Sequence, residues 1–198
     1  MNTKLVIFGI TGDLSRRKLL PVLSDMAKSG SLSGVEIIGI SRREVDADQL
    51  ATSSVGDDAL IGRINVITMD LARPDDYVRL KHRLNLDDNT QALMYLSVPP
   101  GASAQIADLL GEAGLNTQNV KLLFEKPFGF DLDSASDFIN RTSQYFNEQQ
   151  IYRIDHYMAK DVAQSLIDFK TKSEDHKKWN GQAVKSIKIE ATESIDIE

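Results

Sequence analysis

Leu5-Val6-Ile7-Phe8-Gly9-Ile10-Thr11-Gly12-Asp13-Leu14-Ser15 is the stretch of this 198-residue chain whose reading decides the fold. An apolar run with β-branched residues ends in two glycines three apart, and helical spacing follows from Lys18 to Lys28. Strand, glycine turn and helix in that order form the first arm of a βαβ unit. Glycines there let the backbone approach a pyrophosphate, and the helix beyond offers N–H groups and a partial positive charge. The spacing is G-x-x-G rather than G-x-G-x-x-G, with Ser15 near the place of the third glycine. A plain strand–turn–helix connection is the alternative reading of two glycines alone.

Working outward, the same alternation continues. Val35–Ile40, Ile64–Ile67, Ala92–Leu96, Val120–Phe124 and Ile151–Arg153 read as further strands. Ala47–Ser54, Asp75–Leu84, Ala102–Ala113, Ser134–Tyr145 and about Lys160–Lys170 read as helices. Strands of nearly continuous hydrophobicity between helices predict an α/β fold, a Rossmann-type doubly wound parallel sheet covered on both faces. The polar stretch Thr171–Asn180 reads as a linker, and Ser186–Glu193 alternates apolar and polar residues like a half-buried strand. The expected domains are therefore 1–170, dinucleotide-binding, and 171–198, a linker and the first strand of a truncated antiparallel α+β domain.

The end of the second strand bears on the cofactor. Sites for NAD place an acid there for the ribose 2′-hydroxyl, whereas sites for NADP offer arginine to the 2′-phosphate. Here the strand runs into Ser41-Arg42-Arg43, which points to NADP, although Glu44 stands close by. Two solvated surface arginines are the competing reading. Composition narrows the partners. A net charge of −6 argues against nucleic acid and anionic membranes, and the absence of cysteine excludes disulfides and zinc–thiolate sites. No metal site is expected. The apolar runs are strand-length, and Met1-Asn2-Thr3-Lys4 leads into a strand without a signal-peptide pattern, so a cytoplasmic protein is expected.

Several further motifs then occur in order. Gly9-Ile10-Thr11-Gly12-Asp13-Leu14, continuing through Lys18 to Pro21, resembles the opening of glucose-6-phosphate dehydrogenases. Tyr95-Leu96-Ser97-Val98-Pro99-Pro100 is similar to that family's Y-L-x-x-P-P segment, and Phe124-Glu125-Lys126-Pro127-Phe128-Gly129 to its E-K-P-F-G turn. Arg153-Ile154-Asp155-His156-Tyr157-Met158-Ala159-Lys160 resembles its R-I-D-H-Y-L-G-K signature, with Ala159 replacing glycine, and Trp179-Asn180 its W-N pair. Read on their own chemistry, Arg153, His156, Tyr157 and Lys160 bring together donors suited to a phosphate dianion. A core histidine at 156 and a surface lysine at 126 are the plainer alternatives.

The resemblance implies NADP-dependent oxidation of glucose 6-phosphate to 6-phosphogluconolactone. It implies that His156, Tyr157 and Lys160 hold the 6-phosphate, and that Asp155 and Lys126 serve the catalytic centre, Asp155 by orienting the base histidine. Lys126 would also reach the nicotinamide side, across a cis bond to Pro127. Gly9, Thr11, Gly12, Asp13, Leu14, Arg42 and Arg43 would contact the cofactor. Glu193 becomes a sugar-ligand candidate through the family's E-x-x-x-x-E strand, an exposed strand acid being the alternative; Asp196 stands where that strand often has glycine. Hydride transfer from a sugar needs a general base, most often histidine. His82 reads as surface, His176 lies in the polar stretch, and His156 matches the phosphate-binding position. By resemblance the base follows Glu198, so a partial enzyme is expected, inactive alone, and the family's homo-oligomer only with the domain beyond. A non-catalytic NADP-binding module or sensor is the alternative function, and a related sugar-phosphate or inositol-type oxidoreductase a third.

Overall fold

The computed structural model describes residues 2–155, 158, 160–172, 178–188 and 190. Contacts divide the chain into two compact units, Met1–Ile154 and Asp155–Glu198. That division falls earlier than the change expected near Thr171 and runs through the R-I-D-H-Y-M-A-K stretch.

Six strands build the first unit: β1 (Asn2–Phe8), β2 (Val35–Ser41), β3 (Ile64–Thr68), β4 (Thr90–Leu96), β5 (Val120–Glu125) and β6 (Ile151–Ile154). Every pairing is parallel and the order is β3-β2-β1-β4-β5-β6. This 3-2-1-4-5-6 arrangement is the doubly wound Rossmann order. Leu5 aligns with Ile37 on one side and Leu93 on the other, and Leu122 aligns with Ile151. Parallel strands need long crossovers, and helices supply them here.

The helices are α1 (Leu20–Lys28), α2 (Ala47–Val55), α3 (Pro74–Leu84), α4 (Pro100–Glu112) and α5 (Leu132–Thr142), with α6 (Asp161–Lys172) in the second unit. Two cores result, one per face of the sheet. Ile7, Ile37 and Ile64 pack with Leu20 and Leu23 of α1 and Leu50 of α2. Val6, Phe8, Ile40, Met94, Leu96, Leu122 and Phe124 pack with Tyr77 and Leu80 of α3, Leu110 of α4 and Phe138 of α5. Successive strand residues thus feed opposite cores, which is why β1 reads as an unbroken apolar run.

Local chemistry sets the element ends. Asp46 caps α2 by accepting the Gln49 N–H, and Asp131 with Ser134 forms a capping box that starts α5 two residues before the expected Ser134. The helix after the glycine turn opens at Asp13 and then widens into a π segment, Ser15–Leu19, in which the Leu20 N–H bonds the Ser15 carbonyl five residues back. Pro21 accounts for the wide turn: it has no N–H to give, and its ring crowds the carbonyl four residues earlier.

The second unit carries α6 and the Phe169–Trp179 ring pair, centroids 5.1 Å apart. The strand expected over Ser186–Glu193 is not formed at Ser186–Lys188 or Glu190; the rest of that stretch lies outside the described residues.

Candidate dinucleotide site

The carboxyl ends of β1, β2, β3 and β4 surround one cleft of about 460 Å³, lined by Gly9, Thr11, Gly12, Ile40, Ser41, Arg42, Asp70–Ala72, Ser97–Pro99, Ala102, Gln105 and Ile106. Open α/β sheets bind ligands at this edge, where strand order reverses, here between β1 and β4.

The turn after β1 is rigid. Gly9 has φ +79°, and a Cβ there would stand 2.2 Å from the Ser97 carbonyl oxygen, so the position demands glycine twice over. The Gly9 and Ile10 N–H groups both donate to the Ile40 carbonyl, at 3.1 and 3.2 Å, and Gly12 N–H donates to Gly9 O at 2.9 Å. Ile10 is fully buried and lies over Gly39, where a Cβ would come within 2.9 Å of its side chain. Ser15, also fully buried, donates its hydroxyl to the Gly9 carbonyl at 3.0 Å and has Ser97 Oγ at 3.1 Å. A serine in the third glycine's place therefore ties the loop to the end of β4.

Arg42 is exposed and lines the cleft, and its guanidinium has no hydrogen-bond or ion-pair partner among the described residues. Buried Ser41 steadies its base, accepting the Arg43 N–H on Oγ and the Met69 N–H on its carbonyl. The wall after β3 is held from α3. Buried Asp76 accepts the Asp70 N–H at 2.7 Å and pairs with Arg79, while Tyr77 donates to the Leu71 carbonyl at 2.8 Å. Burial, and then the nearby Asp70 and Asp76 carboxylates, push the Tyr77 hydroxyl far above its ordinary pKa, so it stays a donor.

Of the residues expected at the cofactor, Gly9, Thr11, Gly12 and Arg42 line the cleft. Asp13, Leu14 and Arg43 stand outside that lining. Asp13 pairs with Arg17 at 2.8 Å in the open, Leu14 is 36% exposed, and exposed Arg43 points neither into the lining nor to a described partner, its neighbour Glu44 being exposed as well. Lys126 lies just after β5, beyond the cleft lining and two strands along from β1, on a cis bond to Pro127 as the resemblance implied. Next to it, the half-buried Tyr95 hydroxyl donates to the Glu125 carboxylate, and burial followed by that bond raises its pKa.

The R-I-D-H-Y-M-A-K stretch is described in part. Arg153 donates from both terminal guanidinium nitrogens to the Glu148 carboxylate, at 2.5 and 3.1 Å. That bond holds the Glu148 carboxyl below its usual range and raises Arg153 further. Asp155 follows β6 directly and Lys160 is exposed just before α6. His156, Tyr157 and Glu193 lie outside the described residues.

Sequence reasoning did not foresee Asp70, Leu71, Ala72 or Gln105 as cleft residues. The signal was present in Met69-Asp70-Leu71-Ala72-Arg73-Pro74, a turn at the carboxyl end of a strand neighbouring β2. Ser97 and Pro99, which the sequence presents only as part of the Y-L-x-x-P-P motif, also line the cleft.

A six-stranded parallel sheet in this order, with a glycine turn and a basic second-strand end on one cleft, defines a dinucleotide-binding domain of the Rossmann type. A family model described as the NAD binding domain of glucose-6-phosphate dehydrogenase matches residues 6–165. The chain belongs to the glucose-6-phosphate dehydrogenase family. It is 32% identical to the glucose-6-phosphate 1-dehydrogenase of Dickeya dadantii, over 98% of this chain and 43% of that protein. The Mycolicibacterium smegmatis enzyme of the same name is also 32% identical, over 97% of this chain and 43% of the relative. A crystal structure of glucose-6-phosphate 1-dehydrogenase from Mycobacterium avium superposes with a TM-score of 0.80 at 31% identity, covering 91% of this chain and 42% of that one. A glucose-6-phosphate dehydrogenase in complex with its substrate gives 0.81 at 25% identity, with the same coverage. The chain thus spans less than half the length of these relatives. Among the described residues, no helix is long and apolar enough to cross a membrane.

Proposed function

We propose that this chain binds NADP in the Gly9–Ile106 cleft and supplies the cofactor half of an enzyme that oxidises glucose 6-phosphate to 6-phosphogluconolactone. The observation that carries the cofactor choice is Arg42, a guanidinium lining the cleft beside the glycine loop without a described partner. A 2′-phosphate gives it a charge-assisted partner that a 2′-hydroxyl does not. The substrate rests on family membership and on Lys126, which the sheet places on the same edge as the cofactor. In this reading His156, Tyr157 and Lys160 take the sugar phosphate, Asp155 acts as a positioning residue, and Glu193 is a further sugar ligand. Arg43 contributes to the field at the cleft mouth rather than a contact. A cysteine-free chain needs no oxidising compartment, which fits a cytoplasmic setting.

Calorimetric titration of the chain with NADP and NAD tests this. NADP binds more tightly, and Arg42→Ala weakens NADP by about 10- to 100-fold, the worth of a charge-assisted hydrogen bond, with little change for NAD. Equal affinities in the unaltered chain, or an Arg42→Ala that weakens both dinucleotides alike, sink the assignment.

A further inference from the structure

Sulfur in this chain resides in methionine alone, since there is no cysteine. Met69 and Met94 are core residues, 3% and 0% exposed, and Met26 is half-buried against the other core. Met158, by contrast, is 49% exposed. Its backbone is committed all the same. The Met158 N–H donates to the Asp155 carbonyl at 3.1 Å, and its own carbonyl accepts the Gln164 side chain of α6. Solvent therefore reaches this thioether on a bonded turn. The residue also departs from the motif around it, R-I-D-H-Y-L-G-K, which has leucine where this chain has Met158. Leucine and methionine exchange with little effect on packing. What methionine adds is an oxidisable sulfur.

We propose that Met158 is a peroxide-sensitive modification site: its oxidation to the sulfoxide weakens sugar-phosphate binding and leaves the dinucleotide cleft intact. The sulfur lone pair attacks one peroxide oxygen and the O–O bond breaks. The displaced hydroxide takes the proton from the transferred oxygen and leaves as water. Sulfur is oxidised, peroxide is reduced, and no further reactant is needed. An apolar, flexible side chain becomes polar and chiral, next in sequence to Tyr157 and two residues from His156 and Lys160. The consequence for binding rests on the reading above, in which that stretch takes the sugar phosphate. A sulfoxide oxygen accepts hydrogen bonds, and hydroxyl, imidazole and ammonium donors are the groups a phosphate also needs. The oxidised side chain thus competes with the ligand for its donors. Every residue lining the dinucleotide cleft lies in the other unit, Met1–Ile154.

The test treats the full chain with hydrogen peroxide, locates the added oxygen by peptide mass spectrometry, and measures affinities by calorimetry before and after. Met158 takes up oxygen about tenfold faster than Met69 and Met94, in keeping with its exposure. Glucose 6-phosphate then binds about 5- to 10-fold more weakly, NADP stays within about twofold, and methionine sulfoxide reductases restore the loss. Met158→Leu, which carries the motif's own residue, keeps its affinity for glucose 6-phosphate under peroxide. Oxidation of Met158 no faster than that of the core methionines overturns the site. Unchanged glucose 6-phosphate binding in a chain oxidised at Met158, or an equal loss in treated Met158→Leu, overturns its effect while the substrate reading stands. An untreated chain that binds NADP but no glucose 6-phosphate overturns the substrate reading of this stretch and the effect of oxidation with it.

Discussion

Ser15 shows how a departure from a fingerprint can carry the same mechanical task. Full dinucleotide loops use a third glycine for close helix–strand packing; here a buried hydroxyl pins the loop carbonyl and meets Ser97 across the sheet edge. The serine was visible in the sequence, but its partner 82 residues away was not. Gly9 sits at the other end of that arrangement. Gly9→Ala meets both a left-handed backbone and the Ser97 carbonyl at 2.2 Å, and neither is the end of a flexible side chain. It should lower unfolding free energy by about 2 kcal/mol or more in urea titration and weaken dinucleotide binding with it. A Gly9→Ala variant that keeps the original urea midpoint and affinity contradicts this account of the loop.

Among the elements, α1 and the segment after α2 are joined by an ion pair that makes a pH-dependent claim. Lys28 Nζ lies 2.5 Å from Asp57, which also accepts from Ser24 and the Ala59 N–H. The Lys28 ammonium first, then the Ala59 N–H, hold the Asp57 carboxyl below its ordinary 3.8, while Asp57 raises Lys28 above 10.5. A depressed carboxyl contributes stability in full above its unfolded pKa and loses it as pH falls through the folded value. A raised lysine contributes below its unfolded pKa and loses it as pH rises through the folded one. Asp57→Asn should therefore lower the melting temperature slightly at pH 7, the pair being solvent-touched, and the gap to the unaltered chain should close below about pH 4. A gap that does not narrow at all as pH falls from 7 through 3.8 and on toward the depressed folded value contradicts the assignment. The elements themselves were largely legible: Val35–Ile40 predicted β2 and Asp75–Leu84 predicted α3 because parallel strands buried on both faces and amphipathic helices leave opposite imprints. The π segment at Ser15–Leu19 left none, since five residues do not separate a wide turn from a normal one. The Asp70–Ala72 wall was hidden too, because Asp76 and Tyr77 hold it through bonds that only the fold creates.

At the scale of the whole molecule, every residue lining the cleft belongs to Met1–Ile154. A chain ending at Ile154 should fold and bind NADP within about threefold of the full chain, since both cores and all six strands are retained. Loss of binding on this shortening, with circular dichroism still showing the fold, argues that the second unit contributes to the cofactor site. The boundary expected near Thr171 followed composition, which changes there; the contacts change at Ile154, where the last sheet strand ends. One detail of this unit bears on how it meets its cofactor. Ile10 is both a loop residue and a core residue, seated over Gly39. A loop anchored in that way cannot retract without emptying part of the core, so the glycine turn is as permanent as the fold. The cofactor meets a finished surface, and its arrival involves no wait for the loop to close.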